Sequence, residues 1–357
     1  MDIVKLIPAY KSIIWGGSKL KTEYGKATDL SPLAETWELS FHKDGPSLLE
    51  DGRPLCEAVG EKELGENCKG FDFFPVLVKF IDAQDKLSVQ VHPSDEYALE
   101  HENSLGKTEM WYIVDAEEGA GIYLGFREDI SREEFEKAIE EKRLTDYLRF
   151  VPVKKGESYF IPSGTIHAIC AGCLICEIQQ NSNITYRVYD YGRRDKNGNE
   201  RELHVAKALD VTNTRAVESR ELNIETSEGI LKGANKFFNA SLIELDGERA
   251  FPSDKGSFRC FTVLDGEGSV GNVAVKKGES VFVPAGYEEF TLKGKLCAIL
   301  TTIRKYYKKA NGLECRIEND LGDILASGAA GSQDEIFATF DALLHKCGLK
   351  ESDIEQI

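Results

Sequence analysis

The sequence predicts an all-β-dominated protein built from small barrels with a few short helices, and three observations predict it. Strand-like segments recur through the first half, at Glu35–Phe41, Phe71–Ile81, Lys86–His92, Glu109–Val114, Ser158–Pro162, Ala168–Gln179 and Ile184–Tyr189, with Gly, Pro, Asp and Asn punctuating them. The second half continues with Leu242–Leu245, Cys260–Leu264, Ser280–Pro284 and Cys297–Ile303 between Gly-rich turns, a spacing that suits a sandwich or barrel. Finally, the chain repeats itself. VKKGES occurs at 153–158 and again at 275–280, an offset of 122, and YFIPSGTIH at 159–167 faces VFVPAGYEE at 281–289. The shared x-F-x-P-x-G pattern marks two related β units.

The elements follow in order. Trp15-Gly16-Gly17 comes after an extended start, and Glu35–Phe41 alternates with its aromatic residues turned to a core. Pro93 closes the Lys86–His92 strand. Ser94 then caps a short helical stretch, with Tyr97 and Ala98 facing inward, that ends at Gly106. Ser131–Leu148 reads as the clearest helix, with Ser131 and Glu134 forming a capping box and Phe135, Ala138 and Ile139 on one apolar side. An Asp-Lys-Asn-Gly-Asn turn at 195–199 precedes a short helix over Arg201–Leu209. Beyond Lys305 the pattern changes. Residues 311–357 hold ten acidic and three basic residues, GDILASGAAGSQDE reads as a polar linker, and Asp334–Cys347 reads as a packing helix. These features divide the chain into a first β domain over 1–235, a second over 236–305 and an acidic C-terminal extension over 306–357.

A hydrophobic content of 41% excludes a disordered chain, and 357 residues suffice for two core-bearing domains. The net charge of −17 argues against nucleic-acid binding, which needs a basic face, while leaving room for a small anion in a locally positive pocket. Met1–Tyr10 has no basic segment followed by an apolar run, and Phe71–Ile81, the greasiest stretch, is interrupted by Asp72, Pro75 and Lys79. Neither a signal peptide nor a membrane span is expected, and the cytoplasm is the expected compartment. Nine cysteines, an odd number, then read as free thiols. Cys170, Cys173 and Cys176 lie in an apolar β-like segment and read as a thiol-lined core or turn, with a redox pair as the alternative.

Strand alternation gives the chemistry. In LSVQVHP, Leu87, Val89 and Val91 point one way and Ser88, Gln90 and His92 the other. A polar set lining a barrel interior needs partners or a ligand. Lys107, Glu109 and Trp111 share a face of the next strand, and His167 follows Gly164 in a strand–turn–strand segment. Two imidazoles, a carboxylate and an amide carbonyl suit zinc, and also Fe(II) or Mn(II). The repeat sets Glu289 opposite His167, so metal is expected in the first unit only. His42, His101, His204 and His345 read as surface, packing or rim residues. Thr185, Arg187 and Tyr189 share one face of a short strand. An arginine there calls for an anion or a carboxylate partner such as Glu177.

ETWELS at 35–40, QVHP at 90–93, GKTE at 106–109, FIPSGTIHAI at 160–169 and YRVYDYGR at 186–193 together resemble the short bacterial form of type I mannose-6-phosphate isomerase, over about residues 1–305. The resemblance implies cupin (jelly-roll) barrels and one zinc per chain, held by Gln90, His92, Glu109 and His167. It places Lys107 and Arg187 in the substrate pocket as catalytic residues, with Ser88, Trp111, Glu177 and Tyr189 as its wall. It implies interconversion of D-mannose 6-phosphate and D-fructose 6-phosphate through a cis-enediol, with zinc polarising the carbonyl and Arg187 stabilising charge on the same oxygens. Lys107 or a metal-bound water carries the proton, and Glu177 holds Arg187 in place. Two departures stand out: the interval 110–166 has no room for the helical domain of larger members, and the tail after 305 has no counterpart. An Fe(II)-dependent cupin oxygenase and a non-catalytic sugar-binding cupin are the alternatives. Either a monomer or a homo-oligomer is compatible with the sequence.

Overall fold

The computed structural model describes residues 1–194, 197–217 and 221–355. Asp195 and Lys196 of the expected turn lie outside them. The architecture is all-β with short helices, as the sequence predicts. Contacts divide the chain into two compact units that interleave along the sequence. One comprises Ala9–Trp37 and Leu77–Arg220, the other Met1–Pro8, Glu38–Val76 and Glu221–Ile357. The units therefore do not divide at the expected boundaries of 235 and 305. The cause is long-range pairing: Val4–Leu6 joins Ser280–Val283, and Glu66 and Asn67 hydrogen-bond to Lys255 and Gly256.

In the first unit, two antiparallel sheets enclose a core. One runs Ala9–Lys11, Glu35–Leu39, Val76–Ala83, Cys173–Gln180, Glu109–Ala116, Ser158–Ile161 in spatial order. The other runs Tyr186–Tyr189, Val89–Val91, His167–Ile169, Gly121–Phe126, Leu148–Pro152. Ile81, Trp111, Ile113, Ile161 and Ile175 from the first sheet meet Ile122, Leu124 and Ile169 from the second. Polar side chains at other inward positions form the site described below. The outer face of the second sheet is also apolar. Val89, Val91, Ala168, Tyr186 and Val188 pack on Phe135, Ala138, Leu144, Ala208 and Leu209 from the short helices. This face explains why Val89 and Val91 alternate with Gln90. Leu87 departs from the expected alternation: it precedes the Val89–Val91 strand and joins the interior core instead.

The Ser131–Leu148 helix is shorter than expected. It spans Arg132–Glu140, and Leu144–Tyr147 forms a separate turn. Lys142 is left-handed, Arg143 N–H bonds to the Ala138 carbonyl and Lys142 N–H to that of Ile139, a Schellman stop. The Ser131–Glu134 capping box is present. Cys173 joins the interior core, Cys176 is buried on the same strand and Cys170 is half-buried before it, so the run is part turn and part strand.

The second unit is built on one eight-stranded sheet wrapped around Phe261, Val263, Val281, Val283, Leu292 and Leu300. The wrap is tight: a Cβ at Gly268 would fall 1.9 Å from the Lys293 carbonyl oxygen, so only glycine fits there. The extension corrects the linker reading. Ile324–Ala329 is a strand, paired to Glu314–Asn319, which pairs to Tyr306–Asn311. The helix Ile336–Lys346 lays Phe340, Leu343 and Leu344 on this small sheet. Small residues permit the contact, as Gly328 lies under Leu343. Among the described residues, no helix is long and apolar enough to cross a membrane.

Candidate metal centre and active site

The register of the sheets assembles the site. Gln90 stands opposite His167 on one side and Arg187 on the other. Residues directly opposite on neighbouring strands share a face, so three side chains distant in sequence meet in one row. On the facing sheet Glu109 lies between Ile161 and Gln179, and Trp111 lies opposite Glu177. His92 ends its strand, and its carbonyl accepts a bond from Gly164 N–H at 2.8 Å. Gly164 has φ +82° and approaches Val211, which brings the turn before His167 against His92.

His92, Glu109 and His167 are fully buried, and their ligand-type atoms lie within 4.8 Å of one another. The His92 Nδ1 is 2.7 Å from the Ile184 carbonyl oxygen and the His167 Nδ1 is 2.8 Å from that of Thr165. A carbonyl only accepts, so each Nδ1 carries its proton and each Nε2 presents a lone pair. Both Nε2 atoms face Glu109 Oε1, at 3.5 and 3.2 Å. That oxygen is buried without a hydrogen-bond partner among the described residues. Burial, with Lys107 beside it, pushes the His92 imidazole down to about 3, so it is neutral. Burial works against the Glu109 carboxylate, yet Lys107 and His92 hold it well below the usual range.

Two basic lone pairs and an orphaned carboxylate oxygen aimed at one buried point fit a divalent cation, and the carbonyls behind the imidazoles fix the ring orientation as ligating histidines require. Gln90 turns its amide nitrogen to His167 Nε2 at 3.4 Å, while Ser88 Oγ donates to its carbonyl oxygen at 3.4 Å. Turning the amide over brings the oxygen to the histidine side. Glu35, Glu109 and Glu177 face Lys79 and Lys107, so three carboxylates meet two ammonium groups, a balance that favours a further positive charge.

Lys107 Nζ bonds to Glu109 Oε2 and lies 2.9 Å from His92 Nε2. Glu177 accepts from Trp111 Nε1 at 2.8 Å, and its other oxygen lies 3.2 Å from Lys79 and 3.8 Å from Lys107. Burial and the nearby Glu109 hold the Glu177 carboxyl above its usual range. The expected Glu177–Arg187 pair is not formed. Glu177 is committed to Lys79, Lys107 and Trp111, and Arg187 donates through Nη1 to the Glu202 carbonyl at 2.9 Å. The Arg187 Nε is buried with no hydrogen-bond partner among the described residues. Tyr189 is half-buried one bulge further on, its ring 4.8 Å from that of Tyr191. His204 serves Arg187 indirectly, with its Nδ1 accepting from the Arg187 N–H at 3.3 Å.

Lys79 and Glu35 are the residues that sequence reasoning missed. Lys79 sits in Val76–Ala83, a strand buried along its whole length. A lone ammonium in such a strand was the available signal, because it requires a carboxylate partner.

The model of the phosphomannose isomerase type I catalytic domain matches residues 3–119, and that of the mannose-6-phosphate isomerase cupin domain matches 231–303. A probable mannose-6-phosphate isomerase of Bacillus subtilis, GmuF, is 37% identical over 303 residues, covering 81% of this chain and 95% of the relative. The mannose-6-phosphate isomerase of Streptococcus mutans is 37% identical over 295 residues, covering 79% and 92%. The crystal structure of the mannose 6-phosphate isomerase from Bacillus subtilis superposes with a TM-score of 0.77 at 35% identity, over 84% of this chain and 99% of that one. The chain therefore belongs to the type I mannose-6-phosphate isomerase family and carries its cupin fold.

Proposed function

We propose that the protein interconverts D-mannose 6-phosphate and D-fructose 6-phosphate in the cytoplasm, with one zinc ion held by Gln90, His92, Glu109 and His167. The observation that carries this reading is the convergence of two imidazole lone pairs on the unpartnered Glu109 Oε1, in a row that continues to Arg187.

Isomerisation moves a proton between C2 and C1 of the open-chain sugar, through a cis-enediol. A cation in the site supplies Lewis-acid polarisation of the reacting oxygens. The surrounding residues do the rest. Arg187 brings a fixed positive charge and an unused Nε–H donor, and its guanidinium keeps its proton, so it stabilises charge and binds the anionic sugar. The proton carrier is drawn from Lys107 and Glu177, whose charged atoms lie 3.8 Å apart. A carboxyl raised toward neutrality is suited to exchanging a proton at working pH. Trp111 holds Glu177 through its indole N–H, and Lys79 balances its charge. Ser88 orients Gln90, and Tyr189 offers a hydroxyl at the pocket wall.

The test is a coupled assay for fructose 6-phosphate formation with and without a chelator. Turnover is expected to vanish with chelator and to return with added zinc. Chelator-insensitive isomerisation would reject the metal mechanism, and restoration only by iron would reject zinc.

A further inference from the structure

The internal repeat permits a residue-by-residue comparison of the two barrels. With the offset of 122, Ile161 corresponds to Val283 and Tyr159 to Val281. Glu109 pairs with Ile161 and Trp111 with Tyr159, while Arg259 pairs with Val283 and Phe261 with Val281. Arg259 therefore holds in the second barrel the position that Glu109 holds in the first. The inward faces agree: Trp111, Ile113, Tyr159 and Ile161 lie in the first core, and Phe261, Val263, Val281 and Val283 in the second. By the same register Gln179, opposite Glu109, corresponds to Thr302.

A guanidinium thus replaces a carboxylate at this position, and its surroundings are inverted to match. Arg259 Nε donates to Glu228 Oε1 at 3.2 Å. Arg304, whose side chain is 0% exposed, holds the same Glu228 through Nε at 2.9 Å and Nη2 at 2.5 Å. Its Nη2 also lies 2.8 Å from Asp254. The last carboxylate comes from the C-terminal extension: Asp320 Oδ2 accepts from Arg304 Nη1 at 3.5 Å and from Asn67 Nδ2 at 2.7 Å. Asp320 and Lys305 also exchange hydrogen bonds, Lys305 N–H with Asp320 Oδ1 and Asp320 N–H with the Lys305 carbonyl. Two guanidinium groups and three carboxylates are closed together with no exposed arginine edge.

We propose that this cluster is an internalised cation site, and that the extension exists to complete and seal it. The second barrel carries its positive charge covalently, on Arg259 and Arg304. It takes neither a metal nor a sugar phosphate, and Asp320 closes the end that corresponds to the pocket of the first barrel. The comparison of positions rests on the reading of Glu109 as a metal ligand, but the test of the seal does not.

The test is a double-mutant cycle in the full chain, with Asp320→Asn and Arg304→Met, followed by urea unfolding. Loss of a charge-assisted buried hydrogen bond by Asp320→Asn is expected to raise the unfolding constant about 10- to 150-fold in the native background. In the Arg304→Met background the same change is expected to have a clearly smaller effect, the remainder coming from the Asn67 Nδ2 and Lys305 N–H bonds that Asp320 keeps. Equal effects in both backgrounds would overturn the seal. If Arg304→Met does not fold, Arg304→Lys carries the cycle, since it keeps a charge but loses the fork, and the same reduction is expected. Metal titration supplies the second arm. A chain with His92→Ala and His167→Ala is expected to retain no zinc, and a retained equivalent would place a metal in the second barrel and overturn the internalised cation. Loss of turnover in the native chain on chelation, measured separately, reports on the first barrel alone.

Discussion

Replacing Glu109 with Gln tests the site most informatively, because it keeps the shape and removes one charge. Glu109 Oε2 holds Lys107, whose side chain is only 5% exposed. Losing one member of a buried pair costs about 3–5 kcal/mol, because the remaining charge stays desolvated. Lys107 keeps Glu177 at 3.8 Å, so the lower end, about 3 kcal/mol, is expected for the metal-free protein. The second consequence falls on the cation. Altering groups behind a ligand costs about 10- to 100-fold in metal affinity, and removing the anionic ligand itself is expected to exceed about 100-fold. The assays are urea unfolding of metal-free protein, zinc content after dialysis against a weak chelator, and turnover. Glu109→Gln with full zinc content and unchanged turnover would refute the site; full zinc content with lost turnover would leave Glu109 catalytic but not ligating.

Arg187→Ala is expected to retain zinc and lose turnover by more than about 100-fold, as expected for a group that stabilises developing charge; among the described residues its side chain makes one hydrogen bond, to the Glu202 carbonyl, so stability should change by only about 1 kcal/mol. Trp111→Phe removes the indole bond to Glu177 and is expected to cost about 1.5–3 kcal/mol in urea unfolding and to slow turnover; unchanged kinetics would remove Glu177 from the proton relay. The metal-free protein should lose stability as pH falls from about 6.5 toward 3. In that window the unfolded chain protonates His92 and the folded chain does not, so acid favours unfolding. Glu109, held low, adds to the loss below about 4.5, while Glu177, held high, acts in the opposite sense as its folded form takes up a proton first. Thermal unfolding of His92→Gln across this range should show a shallower slope than the native chain, and an equal slope would contradict the assignment.

The alternation of LSVQVHP carried most of the site. It turns Gln90 inward between Val89 and Val91, fails at Leu87, and the structure adds the register that brings Gln90 beside His167 and Arg187. The repeat was equally legible, because identical turns at a constant offset require similar strand pairs. What the sequence hid was pairing across long intervals. Nothing local indicates that Glu177 meets Lys79 rather than Arg187, since the choice is made by which strands neighbour each other. The same limit hid Asp320, which stands just before the linker-like segment, in the turn between Glu314–Asn319 and Ile324–Ala329, strands held by Tyr306, Ile317 and Leu325 against the Ile336–Lys346 helix. Local signals also misjudged a boundary. The capping box at Ser131 announced the helix start, whereas its stop at Lys142 is followed by Leu148–Pro152, which is drawn into pairing with Gly121–Phe126.

Zinc-edge X-ray absorption on the loaded protein addresses the account at its centre. A first shell of nitrogen and oxygen at about 2.0–2.1 Å with imidazole scattering is predicted, and it should disappear when His92 and His167 are both replaced by Ala. Sulfur neighbours at about 2.3 Å, or a shell unchanged by those substitutions, would contradict it.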